Sequence, residues 1–191
     1  MKTFVKLFFV ITLFGFIFSS CSKSNVVTVN NSIEANEKLD GSWKRQVRGS
    51  MDLYSEHENP DSLCGQVTVL ATYILTFYTD LSYSMECSQK YESFVQTADE
   101  IPYSTEDFEK NFTDSFTVKG TYAADANTLL LDNKLVILSD GSEMSVAEYY
   151  KINPSVGSGL ITSGWKVEDN KLTVVALDAD NVSVEYFKVK K

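Results

Sequence analysis

Few residues in this chain of 191 amino acids could support acid–base, nucleophilic or metal chemistry. There is one histidine, His57, and there are three cysteines, Cys21, Cys64 and Cys87. His57 stands in the charged segment 55–60, which is typical of an exposed loop, whereas a general base is normally held in a cleft by an orienting partner. Zinc sites require several cysteine or histidine ligands. The sequence therefore predicts no catalytic triad, no metal site and no cofactor.

Acidic side chains are abundant, but no pair of them stands out as catalytic. Two carboxylates at a short separation could hydrolyse a sugar linkage, and the chain has 26 aspartates and glutamates. Glu106, Asp107 and Glu109 fall on one short predicted helix, where charged residues are usually solvated. We expect a protein that is not an enzyme, with an envelope enzyme that uses carboxylates as an alternative.

The aromatic residues offer binding chemistry because they recur on one face of predicted strands. Apolar residues alternate over 67–77, 81–87 and 116–122, which is the period of a strand with one buried face. β-Branched and aromatic residues favour a strand over a helix in the first of these runs. Tyrosine suits a mostly apolar pocket, since it joins an apolar ring to a polar tip; the alternative is that these side chains fill a packed core. The five aromatic residues predicted to line a ligand-binding lumen are Tyr73, Phe77, Tyr83, Phe116 and Tyr122.

Cys64 and Cys87 form a candidate disulfide in an exported protein. If Thr79 and Asp80 make a two-residue turn, the residue opposite Cys64 is Val95 and not Cys87. A bridge would then require Cys64 to lie in a loop that folds back, because the two Cα atoms must come within about 7 Å. The pairing stays open at this point.

The elements that must position these residues are short strands joined by tight turns. Asp140-Gly141 is a strong hairpin signal, and the tetrapeptide Asp-Asn-Lys-Leu, present at 132–135 and again at 169–172, predicts two more hairpin tips. Residues 104–112 predict one short helix with a capping signal at Ser104. About eight strands without βαβ spacing indicate an all-β fold, an eight-stranded antiparallel up-and-down barrel with one short flanking helix.

The first 21 residues have the layout of an export signal. Lys2 and Lys6 precede an apolar run over 8–18, which is too short for a spanning helix of about 20 residues. The ending Ser19-Ser20-Cys21 resembles the lipobox of bacterial lipoproteins, which implies cleavage before Cys21 and attachment of lipid to its thiol. An ordinary secreted protein is the alternative. We expect a signal peptide at 1–20, a lipidated Cys21 with a flexible tether at 21–38, and a barrel domain at 39–191.

The charge of the chain argues against nucleic acid as a partner. The net charge of −9 becomes −11 once Lys2 and Lys6 are removed with the signal, and the remaining basic residues are scattered rather than gathered into a stripe. The predicted partners are a membrane, through Cys21, and a small apolar ligand.

Gly41-Ser42-Trp43 at the start of the first strand resembles the opening Gly-x-Trp motif of lipocalins, in which the tryptophan closes the barrel floor. Trp165 and the closing sequence VEYFKVKK extend the similarity. The last strand departs from the family pattern, because it has Lys188 and Lys190 where that family often places an arginine over the tryptophan. With the lipobox, the chain resembles the lipocalin-like lipoproteins of Bacteroidetes, which have calycin-like barrels.

This resemblance implies a non-enzymatic protein that binds a small hydrophobic or amphipathic molecule at the cell envelope. The alternative is a structural or interaction lipoprotein whose packed barrel contacts another envelope component. Residues 22–25 lack the acidic run that directs some such lipoproteins to the cell surface, so we expect the outer membrane with the barrel facing the periplasm.

Overall fold

The computed structural model describes residues 29, 31–54, 63–96, 105–152, 160–176 and 182–190. Within these ranges the chain forms nine strands and three short helices. In chain order they are α1 (Ile33–Leu39), β1 (Gly41–Tyr54), β2 (Leu63–Phe77), β3 (Ser82–Gln96), α2 (Thr105–Phe112), β4 (Asp114–Ala124), β5 (Thr128–Leu138), β6 (Glu143–Ser145), α3 (Val146–Ile152), β7 (Leu160–Glu168), β8 (Lys171–Ala176) and β9 (Ser183–Lys188).

Eight of these strands close into an antiparallel barrel. Each strand from β1 to β5 pairs with the next, then β5 pairs with β7, β7 with β8, β8 with β9, and β9 with β1. The ninth strand, β6, pairs with the far end of β5 and lies outside the ring. The predicted all-β, eight-stranded antiparallel barrel is confirmed.

The β1–β9 seam is the narrowest join in the described part of the ring. It consists of two residue pairs, Trp43 with Lys188 and Lys44 with Phe187. By contrast, β1 pairs with β2 along its whole length, from Gly41 to Tyr54. The wall is therefore least firmly closed between its first and last strands.

One end of the barrel, the floor, is closed by α1. Ser32 caps this helix by accepting a hydrogen bond from the Ala35 amide at 3.3 Å, and the helix buries Ala35 and Leu39 against the barrel core. The indole N–H of Trp43 donates to the carbonyl oxygen of Leu39 at 2.7 Å, and the Lys188 ammonium lies 4.2 Å from the centroid of the Trp43 rings.

The helix α1 corrects the expected boundary of the domain. Residues 33–38 were expected to belong to the flexible tether, but they are helical and pack on the floor. One buried pair, Ala35 and Leu39, is too short a pattern to register as a helical period, which explains why the sequence did not predict it.

The opposite end is covered by α2, the helix predicted from the capping signal. Phe108 stacks on Phe94 of β3 with ring centroids 4.5 Å apart. Phe108 and Phe112 are buried with Val67 and Val69, which lie on the inward face of β2. The helix thus packs on the inner side of the strand ends, rather than on the outer flank of the barrel.

Two of the three predicted hairpin tips are confirmed. Gly141 adopts a φ of 83° in the turn between β5 and β6, and Asp169 and Asn170 adopt φ of 50° and 63° between β7 and β8, as a type I′ turn requires. The prediction for 132–135 is wrong, because these residues lie inside β5.

The structure also overturns the candidate Cys64–Cys87 disulfide. Cys87 is a free, buried thiol, and its partner in the β2–β3 ladder is Tyr73, nine positions along β2 from Cys64. Nine strand residues span about 30 Å, far beyond the 7 Å that a bridge allows. A three-residue turn with Leu81 at a φ of 65° replaces the expected two-residue turn, and a bulge at Thr68–Val69 shifts the register once more.

Candidate functional site

The interior of the barrel holds all five aromatic residues that the sequence places there. Their exposed fractions lie between 1% and 8%, and each is packed into the main core cluster. They occupy two levels along the barrel rather than one continuous lining. The five are Tyr73, Phe77, Tyr83, Phe116 and Tyr122.

Phe77, Tyr83 and Tyr122 form a floor cluster in the same core as Trp43. The ring of Phe77 lies 4.9 Å from that of Tyr122, edge to face, and 6.3 Å from that of Tyr83. The Tyr83 hydroxyl donates to Oδ1 of the buried Asn133, and the Tyr122 hydroxyl donates to the Tyr78 carbonyl oxygen at 3.2 Å. Because their polar tips have partners within the protein, these residues seal the floor.

A second level, the upper belt, consists of Arg45, Tyr73, Cys87, Tyr149 and Tyr186. Arg45, Tyr73 and Cys87 are successive cross-strand partners on β1, β2 and β3, so their Cβ atoms are neighbours about 5 Å apart. Tyr186 comes from β9 and Tyr149 from α3, and both are buried in the same core. Phe116 pairs with Cys87 in the ladder and lies 5.7 Å from the Tyr149 ring.

The phenols of the upper belt are held in their neutral form. Burial raises the pKa of Tyr73 and of Tyr149 to about 12, and burial also raises the pKa of Tyr186. The positive charge of Arg45 acts in the opposite direction on the pKa of Tyr73 and Tyr186. Arg45 is thus close enough to influence the ionisation of both hydroxyls.

Arg45 is an inward-facing cation that the sequence interpretation missed. It is half-buried and stands between Trp43 and Val47, whose side chains both pack into the core, so it shares their inward face. Within the described ranges its guanidinium makes no ion pair with any carboxylate. The period-two alternation of a strand, taken from Trp43, places Arg45 on the inward face and could have identified it.

Cys87 contributes a neutral thiol to this belt. Its Sγ atom lies 3.8 Å from the carbonyl oxygen of Met85, and the side chain is buried. Burial raises the pKa of the thiol well above its usual value, and a protonated thiol is a poor nucleophile. Cys87 therefore acts as a wall residue and not as a reactive group.

A polar groove lies outside the barrel between α2 and the neighbouring strands β3 and β4. Its volume is about 700 Å³, and charges of both signs line it, including Lys90, Lys110, Glu109 and Asp114. Every residue that lines the groove is polar or charged, so we take the barrel interior as the candidate site for a hydrophobic ligand.

Several predicted features lie outside the described residues, namely Cys21 with the signal segment, and His57. In the part of the chain that the structure describes, no three histidine, cysteine or acidic side chains are grouped as metal ligands would be. The described helices include none that is long and apolar enough to cross a membrane.

Comparison with known proteins does not assign the chain to a family: no protein-family model matches it, and no curated protein does.

Proposed function

We propose that this protein is a lipid-anchored, lipocalin-like binding protein of the cell envelope, and that its barrel holds one small hydrophobic or amphipathic molecule without acting as an enzyme. The observation that carries the proposal is the division of the inner wall into two levels. In the floor cluster the hydroxyls of Tyr83 and Tyr122 donate hydrogen bonds to protein acceptors. The upper belt adds three phenols and a guanidinium to a largely apolar inner wall. A mostly apolar lining with a few convergent polar groups is usual for a small-molecule site.

The proposed location depends on the first 21 residues. Lys2 and Lys6, the apolar run and the small residues before Cys21 support export followed by lipidation. We propose that the lipid on Cys21 holds the protein at the outer membrane, with the barrel in the periplasm.

Native mass spectrometry tests the binding function. The protein used is the exported chain, which is the chain from residue 21 onward that remains after the expected cleavage, with Cys21→Ser. It is incubated with a bacterial envelope extract and purified without detergent. It should then show a reproducible mass increment that disappears on denaturation. A bare mass throughout, with the lipid pool demonstrably present, would count against small-molecule binding.

Two substitutions on neighbouring positions of β2 provide a matched comparison. Ala71 is on the inward face beside Tyr73, and Thr72 is on the outer face. Ala71→Leu adds volume to the interior and should reduce the fraction of loaded protein, whereas Thr72→Leu should leave it unchanged. Circular dichroism checks that both variants keep the barrel.

A second candidate function is that of an interaction lipoprotein whose barrel is filled by its own side chains. The burial of Phe77 and Tyr83, each 1% exposed, favours it for the floor half of the barrel. This candidate predicts a bare mass in the same experiment, together with a protein partner that cross-links to the outer surface in cells.

A further inference from the structure

We propose that the ligand of the barrel is an amphiphile with a single anionic head group, a carboxylate or a phosphate monoester, and that Arg45 binds this head group. The inference rests on the proposed function and names the chemical class of its ligand. It is carried by one juxtaposition: an inward arginine on β1, beside the inward tyrosines of β2 and β9, with no acidic partner in the described ranges.

Arg45 differs from the other described cations near it. Arg48, three positions further along the same strand, forms a two-bond ion pair with Glu92 on the outer face, with donor–acceptor distances of 2.5 and 3.0 Å. Lys188, on the inward face of β9, is engaged at the floor by the Trp43 rings and the Asp40 carbonyl oxygen. Arg45 alone of these three has neither a carboxylate nor a carbonyl partner among the described residues.

An unpaired charge in a partly buried place carries a desolvation cost that an anion can offset. The guanidinium group is planar and presents parallel N–H donors, which match the two oxygens of a carboxylate or phosphate. Tyr73 and Tyr186 are neutral at physiological pH, since the pKa of a phenol is ordinarily about 10 and burial raises the pKa of both further. Neutral phenols next to the guanidinium do not repel an anion, whereas phenolates would.

We expect a ligand to reach this position beside the seam. β1 and β9 are paired at Trp43 and Lys44, and the described ladder between them ends there, immediately before Arg45. The head group would therefore meet Arg45 beside the least firmly closed part of the wall. The alkyl part would lie along the apolar side chains of the interior, such as Val47 and Val184.

The test measures the head-group preference of the exported chain carrying Cys21→Ser, by calorimetric titration with four twelve-carbon probes. Each ionic probe is kept below its micelle concentration, and dodecanol is kept below its solubility limit. The probes are dodecanoate, dodecyl phosphate, dodecanol and dodecyltrimethylammonium. Hydrogen bonds between charged groups are stronger than those between neutral groups, so at least one anionic probe should bind about tenfold or more tightly than dodecanol. The better of the two anions distinguishes a carboxylate ligand from a phosphate ligand.

Variants at two arginines of β1 assign the preference to a residue. Arg45→Gln should weaken binding of the preferred anion by about tenfold and leave dodecanol within about twofold. Arg45→Lys should retain part of the preference for the anion, since it keeps the positive charge but loses the planar guanidinium with its parallel N–H donors. Arg48→Gln, on the outer face, should change neither affinity.

The outcomes separate this inference from the function on which it rests. If no probe binds and the envelope extract leaves the mass bare, the proposed function fails and the inference falls with it. If dodecanol or the cationic probe binds as tightly as both anions, the barrel binds ligands but the anionic class is wrong. If Arg45→Gln folds and keeps the preference for an anionic probe over dodecanol, another residue binds the head group. If that variant does not fold, the selectivity of the unsubstituted protein among the four probes still decides the ligand class.

Discussion

The hydrogen bond from Tyr83 to Asn133 shows how a single side chain changes the role of a short motif. Asn133 belongs to the first copy of Asp-Asn-Lys-Leu, lies inside β5 and is nearly fully buried. Its Oδ1 atom accepts from the Tyr83 hydroxyl. A buried phenol without an acceptor would cost free energy, so the asparagine stabilises the floor cluster rather than a turn.

Replacement of this acceptor should destabilise the protein more than replacement of the whole pair. Asn133→Leu leaves the Tyr83 hydroxyl buried without a partner, which should lower the free energy of unfolding by about 1–3 kcal/mol. Adding Tyr83→Phe to the same chain removes the unsatisfied group and should recover part of that loss. Urea unfolding of the two single variants and the double variant gives the comparison. A double variant that is no more stable than Asn133→Leu would contradict the assignment.

Cys87 should be unreactive in the folded protein. In a chain with Cys21→Ser and Cys64→Ser, the remaining thiol is buried, and its pKa lies well above the usual value. A thiol reagent such as dithiobis(nitrobenzoate) should therefore modify it slowly at neutral pH and stoichiometrically after unfolding in urea. Rapid labelling of the native protein would show that the upper belt is open to solvent.

At the level of single residues, the inward faces could be predicted but not the roles of the residues on them. Period-two alternation identifies Tyr73 and Phe116 as inward because it depends only on the geometry of a strand. It does not show which tyrosine hydroxyls are satisfied by partners distant in sequence, as Tyr83 is by Asn133. Arg45 was missed because a charged residue on a strand is ordinarily assigned to the solvated face.

The floor helix is the element whose removal should matter most, because Leu39 is fully buried beneath the barrel. Leu39→Ala should lower the free energy of unfolding by about 2–5 kcal/mol through loss of apolar contact and the cavity that remains. Ile33 is on the same helix and is 79% exposed, so Ile33→Ala should have little effect. Thermal or urea unfolding of the two variants measures the difference, and equal effects would mean that α1 does not seal the floor.

The two copies of Asp-Asn-Lys-Leu show that a turn depends on the surrounding strands as well as on its own residues. At 169–172 the flanking strands are adjacent and the tetrapeptide makes the turn, with Asp169 and Asn170 both at positive φ. At 132–135 the pairing with β4 skips Lys134, which is a bulge in β5 itself. β4 supplies Gly120 there, on which a Cβ atom would collide with the carbonyl oxygen of Asp132. The sequence predicts that such a tetrapeptide can turn, but only the pairing with β4 decides whether it does.

The whole molecule should lose stability at alkaline pH because several tyrosines have raised pKa values in the fold. Tyr73 and Tyr149 have a pKa of about 12 in the fold, against about 10 in an unfolded chain. Below about pH 10 these phenols are neutral in both the folded and the unfolded chain, and the free energy of unfolding does not change with their ionisation. Above about pH 10 the unfolded chain loses the phenol protons that the native state retains, so high pH favours unfolding. The free energy of unfolding should then fall by about 1.4 kcal/mol per pH unit for each such tyrosine.

Urea midpoints at about pH 8 and pH 11, read with the phenolate absorbance, test this expectation. Tyr73→Phe removes one of the groups and should lose stability less steeply over the same interval. A midpoint that is unchanged between the two pH values would show that the tyrosines titrate equally in both states.

The two-pair seam between β1 and β9 also bears on the order of folding. It joins Trp43 to Lys188, which are separated by about 145 residues of chain, whereas most other ladders join strands adjacent in sequence. Hairpins such as β1–β2 and β7–β8 can form independently, but the ring cannot close until both ends of the chain have arrived. The amide hydrogens of β9 that face β1 should therefore exchange with solvent sooner than those between β1 and β2, and the last step in assembly should be the first to reverse.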